Sequence, residues 1–311
     1  MRNWNCISTQ IVEHIGGENL TVDKKVIITD VASIAKPKNN SIMFVTANKW
    51  KKMYFEKLDN IEDAFIIIEP ALKDLFFPLI DKYHIVIADN SRLYFAKALS
   101  FIIDHEKENK QYKVIEPNIM IGENVVIGKN SILEPFVFVD HDVTIGENVI
   151  IKAGAKIRSN TWIGDNVIIG ENSVIAAQGF GVEKDVDGTN IRIPHVGGVR
   201  IGNGVEIGAL TSIVAGTIYP TIIENNCFID DLNHIAHNCL IEAGTLTTGC
   251  VEIGGSSVIG ANGYISPNTT IRNGISLGKQ CFVGQASSVQ RSFGECCALV
   301  GSPAREFERK K

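Results

Sequence analysis

From Ile115 onward the chain repeats an aliphatic residue at every sixth position, and this beat restricts its fold more than any other feature. It falls on Ile115, Ile121, Ile127, Leu133, Val139, Ile145, Ile151, Ile157, Ile163, Ile169 and Ile175 without a slip. It resumes at Ile201, Ile207 and Ile213, admits four extra residues, and runs again from Ile223 to Val289 with Thr247 as its polar member. A helix requires a period near 3.6 and a strand a period of 2, so six fits neither. It fits a parallel β-helix in which each hexad is one short strand and one corner, with the aliphatic side chain turned inward. Gly, Asn, Asp and Glu crowd the positions after each aliphatic, as in "IGENVVIGKNS", and Gly, Asn and Asp tolerate the backbone of a tight corner. Three hexads close an eighteen-residue coil. Coils stack at strand spacing, about 4.8 Å, and each buries its aliphatics only against its neighbours.

The first third of the chain has a different grammar. "KKVIITDV", "SIMFVTA", "DAFIIIE" and "YHIVIAD" read as compact strands. "STQIVEHIGG" reads as a short helix with Ser8 and Thr9 as caps and Gly16-Gly17 as its stop. A second helix is expected over 91–106, its apolar stripe made by Leu93, Ala96, Leu99 and Ile103. The expected organisation is an α/β domain over 1–110, a β-helix over 114–295 with an inserted loop at 176–200, and a short tail at 296–311.

A hydrophobic content of 45% with 21% charged residues suits a globular protein with a substantial core. A net charge of −5 argues against a nucleic-acid surface. No apolar run is long enough to cross a bilayer, and the N-terminus lacks the apolar core of a signal peptide. The seven cysteines form no CxxC pair, which points to reduced thiols in a cytoplasmic protein and to no metal site.

Two features break the aliphatic monotony. The excursion 176–200, "AAQGFGVEKDVDGTNIRIPHVGGVR", is rich in Gly and charge, and long loops on rigid scaffolds commonly carry function. The decapeptide "DDLNHIAHNC" holds His234 and His237 among hexads that are otherwise aliphatic. One coil is eighteen residues, so Gly255 falls on the corner stacked over His237.

The hexad beat, the loop "GFGVEKDVDGTNIRIPHVGGVRIGNGVEIGA", the segment "IDDLNHIAHNCLI" and the N-terminal runs "VIITDVASI", "SIMFVTANKW" and "NSRLYFAKAL" together resemble the UDP-3-O-acylglucosamine N-acyltransferases of lipid A synthesis. The resemblance spans nearly the whole chain. It implies a homotrimer of left-handed parallel β-helices with an N-terminal nucleotide-binding domain. It places the catalytic histidine of "IAHN" on His237, the oxyanion-hole glycine on Gly255, and base-stacking aromatics on Phe44 and Trp50. Phe180 of the "GFG" loop and His234 are further expected substrate contacts, His234 by packing against or orienting His237. A neutral imidazole is suited to take the proton of an attacking amine, and a backbone N–H at a corner is suited to the carbonyl oxygen as it gains charge. The competing role for His237 is a hydrogen bond to substrate, with the departing thiolate taking the proton.

Three departures bear on the substrate. The family's second site histidine has no counterpart; its place falls near Gly274. The family's "IDRG" is "IVAG" at 213–216. The long C-terminal extension that holds acyl-carrier protein is replaced by "GSPAREFERKK". These departures predict an acyl-CoA-dependent N-acyltransferase for surface glycans, with a dTDP- or UDP-linked amino sugar as acceptor and no permanently bound cofactor. Arg305, with Arg309, Lys310 and Lys311, would meet the CoA phosphates. The alternatives are the lipid A enzyme itself, using acyl-carrier protein, and a non-catalytic β-helix that serves as a binding module.

Overall fold

The structure, a computed structural model, describes residues 5–21, 24–108, 118–184, 190–193 and 195–306. The chain divides into two compact units, Met1–Lys113 and Val114–Lys311.

In the first unit a five-stranded sheet has the spatial order Glu18–Asn19, His84–Ile87, Ala64–Ile68, Ser41–Val45, Asp30–Val31. Its four inner and far strands run parallel and Glu18–Asn19 pairs antiparallel. Side chains alternate across the sheet. Ile42, Phe65, Ile67 and Val86 enter one cluster with Ile11, Ile15, Ala98 and Ile102 of helices Ser8–Ile15 and Ser91–Glu108. Met43, Val45, Ile66, Ile68 and Ile85 enter another on the opposite face with Leu58, Leu72 and Phe76. Of the expected stripe on the long helix, Leu99 packs against the first cluster and Leu93 is exposed, while the Ala96 and Ile103 side chains lie outside the described ones; Ala98 and Ile102 are buried. Ser8 is not a cap either. It is the first helical residue, its hydroxyl lies 2.6 Å from His84 Nδ1, and it accepts the Val26 N–H.

The second unit is a left-handed parallel β-helix. Among the described residues the strands of its coils form three sheets of ten, nine and eight members, here called F, D and E, and Gly181–Lys184 pairs with Asn190–Ile193 as a separate hairpin. The hexad aliphatics stack in register, Val139 on Ile157 and Ile157 on Ile175, and from Val139 onward their inward side chains form one continuous core, whereas Ile121 and Ile127 of the first hexads are exposed and Ile115 lies outside the described residues. The corners adopt left-handed backbone, most often at asparagine: Asn124, Asn130, Asn148, Asn166, Asn172 and Asn238 all have φ between 56° and 59°. Asparagine tolerates that region better than other non-glycine residues. Two corners between sheets D and E are enlarged. The long excursion separates strand Val174–Ala177 from Val199–Ile201, and the four extra residues fall between Ser212–Val214 and Thr221–Ile223. Both enlargements lie on the same edge of the prism.

Cys281 and Cys297 occupy inward positions of successive coils, with their sulfurs against one another. Among the described residues no helix is long and apolar enough to cross a membrane.

Candidate active site

His237 sits at a D–E corner between strands His234–Ile235 and Leu240–Ile241. Its successor, Asn238, has φ of 59° and makes the turn. That turn swings the Asn238 amide back against the preceding coil. There the Thr217 backbone N–H donates to Asn238 Oδ1 at 2.8 Å. A backbone N–H can only donate, so this bond fixes which end of the amide is which. Asn238 Nδ2 therefore faces His237 Nδ1, at 3.0 Å. With Nδ1 accepting, the neutral ring carries its proton on Nε2.

Gly255 lies on the next corner up. A Cβ there would come within 2.6 Å of His237 Cε1 and 2.7 Å of Nε2. Gly255 does not have positive φ; the left-handed residue of its corner is Ser256. Glycine is needed here for close approach of the imidazole, not for backbone freedom. Gly274 occupies the same edge one coil further, bonded through its N–H to the Gly255 carbonyl, with open space where a side chain would project.

From the other side the inserted loop delivers His195, which is 3% exposed. Its ring lies 5.1 Å from that of His237 at an interplanar angle of 65°. Nothing periodic in the sequence places this histidine; the signal for it is a histidine in a loop that enters at the same corner as His237. Burial, and then the charge His195 carries when protonated, hold His237 below the ordinary histidine range. Cys239 is adjacent, with Sγ 3.8 Å from the His237 carbonyl oxygen, but burial pushes its thiol up to about 11. It is a poor nucleophile at neutral pH.

The other expected site residues are placed as follows. His234 points outward on sheet D, in register with Ser212 and Glu252. Among the described residues no bond joins it to His237. Phe180, at 81% exposed, stands at the base of the loop hairpin Gly181–Lys184 and Asn190–Ile193. Arg305 lies on sheet F at the C-terminal end of the helix, paired with Val300, and is not brought to His237; Arg309, Lys310 and Lys311 lie outside the described residues. Phe44 and Trp50, in the first unit, pack into different clusters on opposite faces of the sheet. Phe44 meets Phe95, and Trp50 meets Tyr54, Phe55 and Phe76 edge-on. The structure does not bring the two rings together. Beside the loop, Trp162, Val196, Arg200 and Ile218 line a shallow cleft of about 330 Å³.

Residues 142–177 match the model of bacterial transferase hexapeptides (six repeats), and 118–158 match a hexapeptide repeat of succinyl-transferase. The UDP-3-O-acylglucosamine N-acyltransferase of Delftia acidovorans is 32% identical over 295 residues, covering 94% of this chain and 84% of the relative. That of Helicobacter hepaticus is 33% identical over 292 residues, covering 92% and 88%. The chain belongs to the UDP-3-O-acylglucosamine N-acyltransferase family. It is accordingly an acyltransferase. Among solved structures, the UDP-N-acetylglucosamine acyltransferase of Campylobacter jejuni aligns with a TM-score of 0.54 and 26% identity, over 62% of this chain and 73% of that one. The relatives overturn the expectation of a CoA-dependent glycan acyltransferase. The three departures that prompted it, at Gly274, at 213–216 and in the tail, occur within a chain that matches UDP-3-O-acylglucosamine N-acyltransferases over more than nine-tenths of its length.

Proposed function

We propose that this chain moves an acyl group from the thioester of an acyl-carrier protein to the free amine of a UDP-linked 3-O-acylglucosamine, at the D–E edge occupied by His237 and Gly255. The observation that carries the reading is the close approach of the imidazole to a glycine corner that admits no side chain, in a chain of this family. The amine attacks the thioester carbonyl and forms the C–N bond. The oxygen gains charge, which is assigned to the Gly255 N–H. The C–S bond then breaks and the thiolate leaves. His237, neutral near pH 7 because burial and His195 disfavour its charged form, is the group assigned to the amine proton.

The Asn238 bond favours a second reading of His237. With Nδ1 accepting, Nε2–H is a donor, and taking a proton there requires the Asn238 amide to turn over and give up its bond from Thr217. In the second reading Nε2–H supports the acyl oxygen, and the thiolate takes the amine proton as the adduct collapses.

Phe44 or Trp50 is assigned to the uracil, one ring and not a clamp of two. We also assign the protein to the cytoplasm and to a homotrimer. Phe228, Leu246 and Tyr264 stand exposed in a row on sheet F, an apolar stripe that suits a second copy of the same chain. The test of function is an acceptor and donor matrix: UDP-3-O-acylglucosamine and its N-acetylated form, each with acyl-carrier thioester, read by mass spectrometry. The expected result is a new amide on the free amine alone. Absence of amide with the free amine would overturn the reading.

A further inference from the structure

The inserted loop spends an unusual amount of local structure on placing one side chain. The Gln178 side chain clasps His195 at both backbone groups: its Oε1 accepts the His195 N–H and its Nε2 donates to the His195 carbonyl, each at 3.0 Å. The imidazole lies against Gly179, where a Cβ would come within 2.3 Å of two ring atoms. The residues that follow are pinned to the enlarged corner of the next coil: the Val196 N–H donates to the Thr217 carbonyl and the Gly197 N–H to the Gly216 carbonyl. Thr217 is the same residue that orients the Asn238 amide. The loop that holds His195 and the network that orients His237 therefore meet in one short segment.

Given the acyl-transfer reading of His237, on which this rests, we propose that His195 is a positioning residue: delivered by the inserted loop, its ring fixes the plane of the His237 imidazole under Gly255 and shields one side of it from water. The two rings meet near edge to face, so His195 limits rotation of His237 about its side-chain torsions while Asn238 restrains it at Nδ1. The groups around His237 are His195 from the loop, the neutral Asn238 and Thr217 at its own corner, the protonated Cys239 beneath its carbonyl, and Gly255 above. Of these, His195 is the one whose charge acts on His237. Two imidazolium ions at this separation oppose one another, so the pair keeps His237 uncharged to lower pH than it would alone.

The test needs no substrate. In histidine-labelled protein, the His237 ring is titrated by nuclear magnetic resonance in the wild type, His195→Phe and His195→Ala. The phenylalanine keeps a flat ring and removes the charge; the alanine removes both. The expected result is a His237 midpoint that rises in His195→Phe and further in His195→Ala, in the sense expected for loss of a like charge and then of burial. In turnover assays the acid limb of kcat moves by the same amount and in the same direction, with KM for the sugar nucleotide unchanged. A His237 midpoint identical in all folded variants overturns the proposal. His195→Gln serves as a third variant if the alanine protein fails to fold, with the same rise expected. Loss of turnover in the wild type itself would instead count against the acyl-transfer reading, leaving the titration result to stand on its own.

Discussion

Gly255→Ala isolates the close approach on which the site depends. The new Cβ would lie 2.6 Å from His237 Cε1, and ordinary contact begins at 3.4 Å, so the ring must retreat by about 0.8 Å, a displacement worth about a hundredfold in rate when it separates reacting groups. The retreat also strains the 3.0 Å bond from Asn238 Nδ2 to Nδ1, which contributes about 1 kcal/mol to stability. The backbone at Gly255 does not have positive φ, so alanine adds no conformational penalty. The expected variant is folded, melts about 2–4 °C lower, binds UDP normally, and makes amide about a hundredfold more slowly, equivalent to about 2.7 kcal/mol of barrier. Rapid-quench measurement of amide formation with saturating donor and acceptor is the assay. A variant within threefold of wild type would refute the claim that the imidazole acts from its place against this corner.

His84 is buried with Ser8 and Asn19, and burial lowers it to about 4. A folded pKa below the unfolded one means that the unfolded chain takes up the proton first. Stability is thus whole above pH 6.5 and falls as pH drops toward 4, by about 3 kcal/mol from this group at pH 4. Urea unfolding of wild type and His84→Gln at pH 7 and 4.5 checks this; an equal acid loss in both would sink it. Asn238→Asp is expected to draw the His237 ring proton to Nδ1, because one carboxylate oxygen replaces the Nδ2 donor, and nitrogen shifts that stay as in the wild type would contradict the bonding described. Trp50→Leu is expected to weaken UDP binding by about tenfold, at the low end of base-stacking contributions, and unchanged affinity in a folded variant would remove Trp50 from the nucleotide site. Equilibrium sedimentation at micromolar concentration is expected to give three times 34.0 kDa; a monomer would contradict the assigned homotrimer.

The period of six was sufficient to anticipate the β-helix, since a side chain that recurs at one inward position leaves the chain no other regular way to bury it. The same count placed Gly255 over His237, because stacked corners in that region are eighteen residues apart. His195 lay outside its reach. Its position follows from the Gln178 clasp and from the bonds of 196–197 to the 216–217 corner, none of which has a repeat. Phe44 and Trp50 show the limit of reading residue types without faces: Phe44 shares its strand face with Ile42, whereas Trp50 packs with Met43 and Val45 on the other side. Ser8 looked like a cap by type and position, yet its hydroxyl is engaged by His84, a partner 76 residues away. The short tail misled on the function because a few residues at one end weigh less than a match over more than nine-tenths of the chain.

The central claim is that His237 assists amide formation on a UDP-linked amino sugar. Its most direct test is single-turnover amide formation from acyl-carrier thioester and UDP-3-O-acylglucosamine, measured across pH 6–9 in wild type and His237→Ala. The account predicts a loss of two or more orders of magnitude in the alanine protein, with the acceptor's KM little changed and the deficit narrowing as pH rises and the sugar amine arrives deprotonated. A loss below tenfold that is flat with pH would contradict it.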